Sequence, residues 1–97
     1  MIVLDEINSI ATKAAKANLG ADVVDRVFSE PTSDADGRDA LHLTIVIAPE
    51  SVQQLDGDAL LDTLVQIQRD LQAAGEDRFA IVEYATNEEL VNGGPQF

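Results

Sequence analysis

The stretch Leu41-His42-Leu43-Thr44-Ile45-Val46-Ile47, closed by Ala48-Pro49, decides the fold. Leu41, Leu43, Ile45 and Ile47 fall on one face of a period-two repeat, and His42, Thr44 and Val46 on the other. That is the pattern of a strand with one strongly apolar face. Pro49 has no backbone donor and ends the run. Just upstream, Pro31-Thr32-Ser33-Asp34-Ala35-Asp36-Gly37-Arg38 is dense in turn formers. Before it, residues 21–30 also alternate, with Val24, Arg26 and Phe28 on one face and Val23, Asp25 and Val27 on the other. Two alternating runs joined by a short polar loop predict an antiparallel hairpin.

Helical periods flank the hairpin. From Ile2 to Leu19 an apolar stripe recurs at Ile7, Ile10, Ala11, Ala14 and Ala17 or Asn18. Asp5 and Glu6 near its start and Lys13 and Lys16 near its end suit the helix dipole, and Gly20 terminates it. The alanine half of the stripe is thin, so its packing partner can approach closely. Downstream, Ser51–Leu55 is expected to form a helical turn capped by Ser51 and broken at Asp56-Gly57. A second main helix is expected from Asp58 to Ala74. Leu60, Leu64, Ile67, Leu71 and Ala74 mark its apolar face, Leu61 and Val65 widen it, and Gly75 stops it. Its opposite flank carries Asp58, Asp62, Gln66, Arg69 and Asp70. A third strand is expected over Arg78–Thr86, then a turn in which Thr86 and Glu89 form a capping box.

The order α-β-β-α-β with a helical crossover between strands two and three predicts an α+β fold. A right-handed crossover puts the second helix on one face, and the first helix most simply joins it there. This gives a two-layer sandwich of a three-stranded mixed sheet with two main helices. A single domain is expected over residues 1–92, with a flexible C-terminal tail over 93–97. The second sheet face needs cover or polar residues; Asp25, His42, Thr44 and Val46 are expected to make it half polar, a kind of face that often becomes a homodimer surface. The element order resembles that of KH-like ribonucleoprotein modules. That resemblance implies a nucleic-acid-associated role in which Lys13, Lys16, Arg26 and Arg38 gather on one side. No G-x-x-G clamp loop is present, and the second helix carries mainly Asp.

Composition narrows the classes of function. The 97 residues include 18 acids against 6 Lys or Arg, a net charge of −12. Residues up to Pro49 hold 8 acids and 4 bases, and the remainder holds 10 and 2, so the second half carries −8. Such a field opposes phosphate backbones and anionic membranes, so no DNA and no membrane partner is expected. With 45% apolar and 25% charged residues the chain has a globular composition. With no Cys, disulfides and thiolate chemistry are excluded. No basic n-region precedes the apolar Met1–Leu4, and a cytoplasmic protein is expected.

Candidate chemistry is sparse. Asp34-Ala35-Asp36-Gly37 matches a fragment of a calcium loop. Aligned on its glycine, however, the loop puts Leu43 where the bidentate Glu belongs, so hairpin-turn chemistry explains it. His42 is the single imidazole and has no ligand set near it in sequence. Asp56, Asp58 and Asp62 surround a helix start, which favours acids by itself. Glu83 and Tyr84 face opposite ways on their strand. No nucleophile elbow, Walker loop or dinucleotide fingerprint occurs. No catalytic residue, metal ligand or cofactor is therefore expected, and an enzyme using Asp34, Asp36, His42 and Glu83 is the minor alternative. The leading expectation is a small acidic non-enzymatic protein-binding module, antitoxin-like or inhibitor-like. It would meet a basic protein through Asp58, Asp62, Asp70, Glu76 and Asp77.

Overall fold

The computed structural model describes residues 2–88. Along the chain lie α1 (Leu4–Leu19), β1 (Val24–Ser33), β2 (Asp39–Ile47), a 3₁₀ turn (Pro49–Gln54), α2 (Gly57–Ala73) and β3 (Phe79–Ala85). The order α-β-β-α-β and the α+β class are those expected from the sequence. The three strands form one sheet in the order β1-β2-β3, antiparallel between β1 and β2 and parallel between β2 and β3. The Thr86–Glu89 capping box and the 93–97 tail fall wholly or partly outside the described residues. Among the described residues no helix is long and apolar enough to cross a membrane.

Leu41, Leu43, Ile45 and Ile47 are buried on one sheet face against Ile7, Ala11, Ala14 and Ala15 of α1 and Ile67 and Leu71 of α2. Each of the leucine and isoleucine side chains contributes about 1.5–3 kcal/mol relative to exposure. Both helices therefore lie on one face of the sheet. The alanines of α1 are buried in the shared core, and at its end Asn18 Nδ2 donates to Gln66 Oε1 of α2 at 2.7 Å.

Strand β1 departs from the expected facing. The pairing runs Val24 with Ile47 but Arg26 with Val46, so Asp25 is an extra residue in a bulge. The bulge flips the alternation. Val24 and Val27 both turn to the core, while Arg26 and Phe28 move to the outer face beside Val46 and Thr44. The strand also runs on through Pro31 to Ser33, which an edge strand permits because the missing donor breaks no ladder.

Two caps differ from expectation. The 3₁₀ turn starts at Pro49 with no side-chain cap, and Ser51 is buried within it. Asp56 instead caps α2, its carboxylate accepting from the Asp58 N–H. The hairpin turn is closed by Asp34, whose Oδ1 accepts from the N–H groups of Asp36 and Arg38 at 2.9 and 3.0 Å.

Candidate functional site

The outer face of α2 is built from residues that a single apolar stripe cannot use. At about 100° per residue, Val65 lies roughly 160° around the helix from Ile67, the centre of its buried side. Leu61 and Val65 are accordingly 58% and 43% exposed. They do not widen the buried face as expected; they form an apolar pair on the outside. Asp58 and Asp62 are exposed beside them, and Asp70 is half-buried toward α1. A depression of about 510 Å³ runs next to the pair, walled by Asn18, Asp62, Gln66, Arg69 and Asp70.

Asp77 is exposed but lies beyond the far end of the helix, roughly 25 Å from Asp58 at 1.5 Å per residue. Glu76 does not belong to the acidic surface at all. It is 1% exposed, and this corrects its expected place among the partner-binding acids. The cause is the way α2 ends. Gly75 takes φ +97°, its N–H reaches Gln72 O, and the Glu76 N–H reaches Leu71 O, which is a Schellman stop. That motif turns the next residue inward, where an apolar side chain usually packs.

Glu76 occupies this inward position as a carboxylate with a full set of donors. Arg78 supplies its backbone N–H at 2.8 Å, Nε at 2.9 Å and Nη2 at 2.9 Å, and the Ile2 N–H completes the set at 3.0 Å. Arg78 Nη2 also donates to Ile2 O at 3.3 Å. The Arg78 hydrogen bonds hold the Glu76 carboxyl down at about 2, against the opposing effect of burial. The Glu76 carboxylate in turn raises the Arg78 guanidinium above its ordinary value. The pair clasps the start of the chain to the α2–β3 junction.

Gln68 of α2 performs a second clasp. Its amide accepts from the Ala80 N–H and donates to the Ala80 carbonyl, on the side of β3 away from β2. The side chain thus mimics a neighbouring strand at one position. Gln68 lies two turns from Leu61, so the apolar pair and the edge of β3 share one side of the helix. Further along, the Tyr84 hydroxyl donates to Leu60 O at 2.9 Å, and burial pushes its phenol up. Tyr84 is thereby tied into the core side.

The outer sheet face carries the remaining chemistry. His42 stands between two acids, with Nδ1 3.3 Å from Glu30 and Nε2 3.5 Å from Glu83. Glu83 is therefore on this outer face and not turned inward. Phe28, Phe79 and Ile81 are exposed around the cluster, and the Arg26 guanidinium sits 5.8 Å from the Phe28 ring centroid. Asp34 and Asp36 lie at the hairpin tip, roughly 13 Å along the strands from His42. They do not join His42 and Glu83 in one site. Among the described residues no three His, Asp or Glu side chains are arranged to hold a metal ion.

Nor do the bases gather. Lys13 and Lys16 are on α1, Arg26 is on the opposite side of the sheet, and Arg38 is at the hairpin tip. Three features escaped the sequence reading: the Glu76 clasp, the Gln68 clasp, and the outward turn of Leu61 and Val65. Only the last had a usable signal, their angular distance from Ile67.

Comparison of the chain with protein-family models, curated proteins and solved structures gives no match. The functional reading therefore rests on the chemistry of its own surfaces.

Proposed function

We propose that the chain is a small cytoplasmic, non-enzymatic module that binds a basic protein through the outer face of α2. The observation that carries this is the exposed pair Leu61 and Val65 set among Asp58 and Asp62. An apolar centre with a charged rim is the anatomy of a binding patch, the centre supplying affinity and the rim steering. A field of −12 attracts a basic partner over a Debye length and repels polyanions. Inhibition of a basic enzyme in the manner of an antitoxin is one form of this role. Asp70 extends the rim toward α1, Asp77 marks its far end, and Glu76 has no part in it.

Affinity capture from an extract of the source cells tests the proposal. A basic protein retained by the wild type is expected to be lost from Leu61→Arg and from the pair Asp58→Lys, Asp62→Lys. It is also expected to be lost in about 1 M salt, where the screening length is near 3 Å. Retention that ignores all of these changes overturns it.

Exposure of Phe28, Phe79 and Ile81 favours a second reading, a homodimer through the outer sheet face. Light scattering over a concentration series tests it. Phe79→Arg is expected to return any dimer to monomer, and a monomer at every concentration removes the reading.

A further inference from the structure

The edge of β3 extends the proposed surface, and the inference drawn from it rests on the reading of α2 just given. Because backbone groups of a strand point alternately to its two neighbours, the Gln68 contact fixes the alternation. Ala80 faces away from β2, so Val82 and Tyr84 do too, while Ile81 and Glu83 pair with β2. Two of the outward positions are already served. The Arg78 N–H is taken by Glu76, and both backbone groups of Ala80 are taken by Gln68. The outward N–H and C=O groups of Val82 and Tyr84 have no such partner among the described residues.

We infer that the free edge of β3 at Val82 and Tyr84 receives an extended segment of the basic partner as a fourth strand. That segment carries Lys or Arg opposite Glu83 and runs beside Leu61. Strand addition supplies affinity through main-chain bonds and specificity through alternate side chains. Glu83 projects at the centre of this short edge with its side chain 59% exposed, so a cation opposite it is favoured. A second copy of this chain fits badly. The two-fold antiparallel register that uses both free residues pairs Val82 with Tyr84 of the copy. It then sets Glu83 directly against Glu83, a like-charge pair, between two molecules of −12 each. Gln68 stops the added strand at Ala80, so the segment enters from the Tyr84 end.

Amide exchange and ¹⁵N shifts with a short peptide of alternating valine and lysine, at low salt, test this. In the free protein the Val82 and Tyr84 amides should exchange at least about tenfold faster than those of Ile81 and Glu83. The peptide should then slow them and shift them. Val82→Pro removes an outward donor without breaking a bond to β2, and it should abolish binding. Glu83→Lys, a change at an exposed position, should weaken the peptide about fivefold to tenfold and favour a valine–glutamate peptide instead. Equal protection of all four amides in the free protein overturns the inference, since the edge is then closed. Binding unchanged in Val82→Pro and Glu83→Lys but lost in Asp58→Lys, Asp62→Lys also overturns it, while leaving the α2 reading standing. Binding lost in Val82→Pro and Glu83→Lys but indifferent to Asp58, Asp62 and Leu61 supports the edge and removes the α2 reading.

Discussion

Replacing Glu76 with glutamine removes a charge from one of the most enclosed polar positions in the molecule. The Arg78 side chain is only 10% exposed, so its guanidinium is left buried without its ion-pair partner, with Asp39 and Asp77 acting on it only through longer-range charge. The four N–H groups that converge on the carboxylate then face an amide with one acceptor oxygen and an opposing NH₂. Losing one partner of a buried pair costs about 3–5 kcal/mol. The titration leads to a similar figure by a separate route. A carboxyl held at about 2 instead of its ordinary 4.5 represents roughly 3 kcal/mol of stabilisation. Against a total of about 5–15 kcal/mol, this is a large fraction.

Denaturant melts of wild type and Glu76→Gln are expected to differ by about 3 kcal/mol at pH 7, or by roughly 12–25 °C in Tm. Because the folded value lies below the unfolded one, the contribution is complete above about 4.5. It is lost as pH falls toward about 2. The gap between the two proteins should therefore narrow across that window. A gap under about 1 kcal/mol at pH 7, or one that stays constant down to pH 2, would refute the reasoning.

Other outcomes follow from the same geometry. The double change Glu76→Leu, Arg78→Met should recover only part of what Glu76→Gln loses, because it removes the unpaired guanidinium but leaves the Ile2 and Arg78 backbone N–H groups without their acceptor; equilibrium unfolding measures it. Gly75→Ala should cost about 1–2 kcal/mol through its positive φ alone, since a Cβ there meets nothing within 4 Å. Ile67→Ala should cost about 2–5 kcal/mol, whereas Leu61→Ala, on the outside, should stay within about 0.5, and the contrast in urea midpoints checks the facing of α2. Gln68→Ala should raise the exchange rate of the Ala80 amide while leaving Ile81 and Glu83 protected, as hydrogen exchange by NMR would show.

The architecture was legible because the hydrophobic period switches between two and 3.6 at recognisable stops. Gly20, Pro49 and Gly75 each separate one period from the next, and the polar turn ending at Arg38 divides two runs of the same period. The facing of β1 was not legible. A bulge adds one residue without requiring glycine, and Asp25 in sequence looks like any exposed acid. Yet that residue decides whether Phe28 is core or surface. Glu76 was illegible for a different reason. One of its donors is the Ile2 N–H, 74 residues away, and the other lies two residues on in what reads as a charged loop. An acid after a helix-stopping glycine reads as solvated unless the long-range contact is known. Of the candidate surface, Asp58 and Asp62 were legible as an exposed flank. The apolar pair beside them was absorbed into the core stripe because Leu61 and Val65 fit a generous helical face.

An unprotected sheet edge invites indiscriminate pairing, and proteins close such edges with charges, bulges or covering side chains. In this molecule the two edges are treated differently. On β1 the bulge at Asp25 and the proline at residue 31 interrupt any template for pairing. On β3 the guarding is local. Glu76 takes the Arg78 N–H, Gln68 fills the Ala80 position, and Glu83 places a negative charge at the centre of what remains. The same charge that repels a second copy is attractive to a strand bearing lysine or arginine. On the proposed reading, protection against self-association at this edge and selection of a basic partner are one physical effect, the sign of the field along an edge unpaired among the described residues. The acids of α2 strengthen that field from the side and contribute no hydrogen bonds to the edge itself. In the proposed contact the charge is dispersed over the surface, while affinity comes from the Leu61–Val65 pair and a few backbone groups of the edge.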